Sequence, residues 1–339
     1  MTLGIDVSKN YLDCCLKGVN QKGILVTKAT KKFKNDENGF QSMNVWLKGK
    51  TTEGKAILCV MEATGTYHED VLYYLYEHKY NCVLVLPNKI FHYARSLNKK
   101  AKTDKIDAEL IADYGAKNAT EFSLWFPVTK NIKRIKEFSR SIEDVNAQLV
   151  ENKNYLHALK IAHNTNPKII KLYENLIEKL EKMKLELESG LDKEIETDSE
   201  MKRMAEESAK IKGLTVRSVA RVLAEVNCFL STTSIRKAIS YAGLDIIVKQ
   251  SGSSCFSSSI SKRGNKHLRN ILFMSALSSA IYDEHNKDLR QRLLERGHKP
   301  IECTVSVMRK LLITIFVLTK YNRKYDPNYN WHNANNIPT

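Results

Sequence analysis

Four carboxylates stand at spacings that suit metal-dependent phosphotransfer. They are Asp6 in Leu3-Gly4-Ile5-Asp6-Val7-Ser8-Lys9, Glu62 in Met61-Glu62-Ala63-Thr64-Gly65, and Asp104 and Asp107 in Lys102-Thr103-Asp104-Lys105-Ile106-Asp107-Ala108. Asp6 and Glu62 each close an apolar run of strand type, which brings a carboxylate to the end of a buried strand. Asp104 and Asp107 are three residues apart and share one face of a helix. Such a cluster of hard oxygen ligands suits Mg2+, and paired ions of this kind serve polymerases and nucleases. The chemistry to expect is the cutting or joining of nucleic acid.

The elements that must position these groups follow from the hydrophobic period. Residues 3–7, 12–19 and 23–34 read as three strands joined by short turns, and 38–47 as a helix. A buried strand follows at 55–61, a helix at 68–78 carrying Val71, Leu72 and Leu75, and a strand at 81–86 stopped by Pro87. The last helix of the region spans 103–117, with Thr103 as N-cap. Three meandering strands and then helix, strand, helix, strand, helix is the order of the ribonuclease-H-like fold. In that fold the first strand's Asp, the fourth strand's Glu and the last helix's carboxylates converge. Asp13 and Asp36 are expected in solvated turns outside the cluster, and Asp113 as a surface charge.

Composition agrees with a polyanionic partner. The 339 residues carry a formal charge of +16, a balance that favours phosphate neutralisation, although an ordinary basic protein has the same look. The apolar run 311–318 is too short to span a bilayer, and the first residues run straight into a strand instead of a leader. The seven cysteines form no CxxC pair, so neither a zinc knuckle nor a disulfide framework is expected, and a reducing cytoplasm is the expected location.

The middle of the chain has two heptad seams. One runs through Phe138, Ile142, Val145, Leu149, Asn152, Leu156 and Leu159; the other runs through Ile169, Tyr173, Leu176, Leu180, Met183 and Leu187. A break at 164–167 leaves two readings open, a helical hairpin within one chain or an intermolecular coiled coil, and Asn152 would fix register in either. From about Ser199 the pattern changes. The turn Ile211-Lys212-Gly213-Leu214 before a helix at 218–226 resembles half of a phosphate-binding helix-hairpin-helix, although a plain glycine connection fits as well. Residues 234–242 read as a short helix, and 268–282 and 303–319 as core helices. Between them, 250–259 holds seven serines or glycines in ten positions, which is linker composition. A strongly basic segment follows at once, with Lys262, Arg263, Lys266, His267 and Arg269. A serine flanked by cations can attack a phosphodiester, because the cations stabilise the developing charge.

At these motifs the chain resembles the transposases of the insertion-sequence one-ten group, the DEDD or bridge-RNA-guided recombinases. The matching segments are 4–9, Glu62-Ala63-Thr64-Gly65-Thr66-Tyr67, Leu86-Pro87-Asn88, 102–108, 211–214, Tyr241-Ala242-Gly243-Leu244, Ser251-Gly252 and 260–269. The resemblance implies an α/β plus α architecture in four parts. These are a RuvC-like, ribonuclease-H-fold catalytic domain at 1–120, a helical coiled coil at 121–198, a mainly helical transposase domain with a serine loop at 199–325, and a tail at 326–339. It implies two Mg2+ ions on Asp6, Glu62, Asp104 and Asp107, and a serine nucleophile that aligns with Ser251. The family's two serines, two glycines and lysine are replaced here by Gln250-Ser251-Gly252-Ser253-Ser254, which leaves Ser253 as a second candidate. Expected partners are donor and target DNA, a guide RNA and further copies of the chain, as dimer or tetramer, with no membrane; the site of action is the nucleoid. Expected nucleic-acid contacts are Lys9, Lys102 and Lys105 beside the carboxylates, and Lys262, Arg263, Lys266, His267 and Arg269. The alternatives are a RuvC-like junction nuclease in which water attacks, and a non-catalytic nucleic-acid scaffold.

Overall fold

Near-continuous runs of apolar and small side chains let the first two strands bury both faces, and the sheet they build is the frame of the N-terminal half. In the computed structural model, which describes residues 1–50, 56–63, 65–98, 103–251 and 254–328, with backbone alone for 248–251 and 254–259, the chain divides into two compact units, Met1–Pro127 and Val128–Thr339. Strands β1 (Thr2–Val7), β2 (Tyr11–Val19) and β3 (Leu25–Lys34) form an antiparallel meander. Helix α1 (Glu37–Lys48), capped by Asp36, leads to β4 (Leu58–Glu62), which pairs parallel with β1. Helix α2 (Glu69–Glu77) leads to β5 (Asn81–Val85), parallel to β4, and the sheet order is β3-β2-β1-β4-β5. That is the ribonuclease-H-like arrangement expected from the sequence. Helices α3 (Pro87–Ser96) and α4 (Asp104–Lys117) complete the unit. Helix α3 is absent from the sequence expectation, in which Pro87 ends a strand; proline is equally at home at the first position of a helix, where its missing N–H costs nothing.

The two faces of this sheet have different tasks. One face buries Leu3, Ile5, Leu12, Leu16 and Met61 against Phe40, Met43 and Leu47 of α1 and Val71, Leu72 and Leu75 of α2. The opposite face carries Gly4, Cys15 and Val60 and receives α3 and α4.

In the second unit α5 (Lys130–Ile161) and α6 (Pro167–Thr197) form an antiparallel hairpin. Lys153 meets Glu181 and Lys160 meets Glu174, each at 2.7 Å, as an antiparallel pair requires. Its distal seam buries Val145, Leu149, Ile177 and Leu180. The expected second seam is therefore partly displaced: Ile169, Leu176 and Met183 stay exposed, while Ile177 turns inward. Asn152 does not set register across the seam, because its amide donates to Gln148 O one turn back at 2.7 Å. The proximal ends contribute Ile132, Ile135, Leu191 and Ile195 to a core built by α7 (Ser199–Ala209), α8 (Val216–Glu225), α9 (Ile235–Ala242), α10 (Lys266–Tyr282) and α12 (Pro300–Lys320), with α11 (Glu284–Glu295) at its side. Strands β6 (Ile246–Ser251) and β7 (Ser254–Ile260) pair antiparallel, so the expected serine loop is a hairpin. Its serine count suggested a linker, but a ladder is held by backbone groups, which such small residues leave free to pair. The Gly213 turn is not an open phosphate cradle: its backbone packs on that of Ser279 in α10. Among the described residues no helix is long and apolar enough to cross a membrane.

Candidate active site

Each acidic side chain is placed by an element end. Asp6 is the penultimate residue of β1 and Glu62 the last of β4. The last registered pair of these parallel strands is Ile5 with Met61, so Asp6 and Glu62 follow it side by side on the same face. That face is the one α4 covers. A Cβ at Gly4 would lie 2.3 Å from Ala108 O and from Ala112 N, so glycine is what lets α4 lie flat on β1. Thr103 caps α4 by accepting from Ile106 N at 3.3 Å, which puts Asp104 and Asp107 in the first turn. There the helix dipole favours negative charge and offsets part of their repulsion.

Asp6 registers the convergence. Burial first, then the charges of Asp107, Asp104, Glu62 and Asp13, push its carboxyl up to about 6. The four residues singled out by spacing are thus electrostatic neighbours in the fold.

Two participants were missed. Asp13 is not a solvated turn residue: it sits within β2 directly opposite Asp6. The tight turn in which Ser8 N donates to Tyr11 O at 2.9 Å fixes that register, so counting outward from 8–11 would have found it. Lys32 of β3 lies 2.9 Å from Asp13 and 3.8 Å from Asp104, and its ammonium also sits over the Tyr11 ring. It brings positive charge to the edge of the acidic cluster. Asp113 is likewise no plain surface charge, since it binds the largely buried Lys17 at 2.6 Å.

The donor set of hard carboxylates fits a divalent cation chemically. Among the described residues, no three Asp, Glu, His or Cys side chains are drawn together as ligands of one ion. Lys9 and Lys105 are exposed, and Lys102 lies outside the described residues.

In the second unit Ser251 ends β6, paired with Ser254, and Ser253 lies outside the described residues. The base of this hairpin is firmly tied. Ser261 N donates to Asp245 O at 2.8 Å and its hydroxyl to Asp245 Oδ1 at 2.5 Å, Lys262 N donates to Gly243 O at 3.1 Å, and Asn265 N to Tyr241 O at 2.8 Å. Asn265 caps α10 with its carbonyl and donates its amide to Glu225 at 2.6 Å. Glu225 is fully buried and takes two bonds from Arg140, at 2.9 and 3.0 Å. Burial raises its pKa, but the bonds from Arg140 and Asn265 prevail and hold it below the usual value. Of the expected nucleic-acid contacts here, Lys262, Arg263 and Lys266 are exposed. His267 is engaged by Glu143 at 2.7 Å and Arg269 by Ala242 O at 2.9 Å.

Comparison with known proteins places the chain. Residues 3–160 match the model of the IS110-type DEDD transposase domain, and residues 206–293 that of the transposase IS116/IS110/IS902 family. A pilin gene-inverting protein of Moraxella bovis is 30% identical over 328 residues, covering 96% of this chain and 97% of that protein. Its counterpart in Moraxella lacunata is 29% identical over the same length. Among solved structures, the Thermus thermophilus RuvC structure matches at 14% identity and TM-score 0.28, covering 36% of this chain and 97% of RuvC. The chain belongs to the IS110/IS116/IS902 family of transposases.

Proposed function

We propose that this transposase is an RNA-guided DNA recombinase that cuts and exchanges strands through a covalent phosphoserine link. The observation that carries the reading is the convergence of Asp6, Glu62, Asp104 and Asp107 at the C-terminal ends of the central strands β1 and β4. These four side chains would hold divalent cations, Mg2+ by the hardness of their oxygens. When bound, such ions polarise the scissile phosphate and stabilise charge in the pentavalent transition state. The Ser251 oxygen would bond to phosphorus as the bond to one deoxyribose oxygen breaks, its proton passing to that leaving oxygen, so that one DNA end stays on the protein and the other is free for exchange. Cleavage would depend on both groups, the carboxylates and Ser251. The relatives' name supports exchange over simple cutting, because inverting a gene requires rejoining at two sites.

Sequence choice would rest on base pairing to a guide RNA, with the protein gripping backbone through its excess of 54 Lys and Arg over 38 Asp and Glu. Assembly into dimers or tetramers would use the helical hairpin, where Ile169, Leu172, Leu176 and Met183 form an exposed stripe on α6. The test is to sequence RNA that copurifies with the protein, then measure strand cleavage with and without it. Cleavage at sites unrelated to the RNA would overturn guidance. A monomeric mass for the RNA-bound protein in light scattering would overturn assembly.

A further inference from the structure

Helix α3 carries a second feature, on the face of the sheet that α4 also covers. It begins two residues beyond Val85, the register partner of Glu62, so its first turn starts at the end of the sheet where Glu62 lies. Its one buried residue, Ile90, packs with Val60, Val83, Val85 and Ile111 on the face that α4 covers. Tyr93 lies against Tyr114 of α4 at 5.3 Å, and Lys117 donates to the Tyr93 hydroxyl at 2.9 Å. The helix is therefore docked alongside α4 and firmly oriented.

Its outward residues are Lys89, Phe91, His92 and Arg95, and no carboxylate occurs anywhere in α3. Phe91 is 58% exposed, and the Arg95 guanidinium sits over its ring at 5.4 Å from the centroid. A single exposed apolar residue needs no explanation. An exposed aromatic under a cation, on a helix whose charged residues are all cations, has a definite chemical complement. A base stacks on the ring, and the guanidinium meets the phosphate. A duplex offers no free base face to Phe91.

We propose that the Phe91–Arg95 face of α3 binds unpaired nucleotides of a strand led to the acidic site. The inference rests on the nucleic-acid reading above and adds a place and a strand state to it. The full-length protein is titrated with short single strands of DNA and of RNA of one mixed sequence, each carrying 2-aminopurine, and with the matching duplex. Phe91→Ala should weaken single-strand binding about tenfold or more and abolish quenching of the stacked 2-aminopurine, with duplex affinity unchanged. Phe91→Trp should restore both. Arg95→Gln should lower the slope of affinity against salt by about one, whereas Phe91→Ala should leave it unchanged. The strand type that loses more identifies the occupant as DNA or RNA.

Wild-type affinity of Phe91→Ala for both single strands would overturn the assignment, as would an equal loss on duplex. So would a change in the oligomeric mass of the free protein in place of strand affinity, which would make α3 a contact between copies. In each of these cases the transposase reading stands. If the wild-type protein bound no nucleic acid at all, that reading would fail and take this inference with it.

Discussion

In the first unit the carboxylates of the proposed site end strands that are paired on both sides, or open a helix lying flat on them. Asp6 lies between β2 and β4, and α4 is held against β1 by backbone contact at Gly4. In the second unit Ser251 ends a strand with a single partner, in a sheet of two. An isolated hairpin of that kind has marginal stability, so its position depends on its base. The base is polar: Glu225, Arg140, Asn265, Asp245 and Ser261 hold it through hydrogen bonds. The acidic end of the sheet is fixed by packing and register, and the hairpin by a part-buried polar network that can be dismantled one side chain at a time.

The largest effects should come from the packed side. Asp6→Asn, Glu62→Gln, Asp104→Asn or Asp107→Asn should reduce strand cleavage by roughly a hundredfold or more while nucleic-acid affinity holds. Near-normal cleavage by any of them would remove that residue from the site. The network comes next. Arg140→Ala strips the buried Glu225 of two bonds, while Asn265 and Lys136 remain beside it, and should cost about 1–2 kcal/mol in urea melts. No change would mean that the hairpin base is held otherwise.

Asp6 provides an effect of similar size and opposite sign. Its folded-state pKa of about 6 lies above its ordinary 3.8, so the folded chain binds the extra proton and loses stability as pH rises between those values. In metal-free buffer Asp6→Asn should therefore gain about 2 kcal/mol at neutral pH, after allowance for partial exposure, and nothing below the lower value. An equal gain at both pH extremes would contradict the electrostatic account. Asp113→Asn leaves the largely buried Lys17 without its partner and should cost about 1–2 kcal/mol without impairing cleavage by the folded protein.

Much of the packed side was legible in the sequence, because apolar strand runs, the Thr103 cap and the i, i+3 spacing of Asp104 and Asp107 are local signals. Asp13 and Lys32 were hidden for a different reason, since they join the cluster through β-register, which pairs residues across a turn. The hairpin was obscured by composition, and its anchors Glu225 and Arg140 by distance in sequence, 85 residues apart. Helix α3 was masked by an ambiguity of proline, which stops a strand and starts a helix with the same residue.

The central proposal is that a serine on the hairpin attacks DNA in a reaction that also requires the acidic residues Asp6, Glu62, Asp104 and Asp107. Ser251→Ala should leave stability within about 0.5 kcal/mol. The direct measurement is mass spectrometry of peptides from a protein–DNA reaction quenched in denaturant. The account predicts a nucleotide attached to the peptide containing Ser251, present only with a divalent cation and lost in both Ser251→Ala and Asp6→Asn. An adduct on Ser253, or cut strands accumulating with no adduct at all, would contradict it.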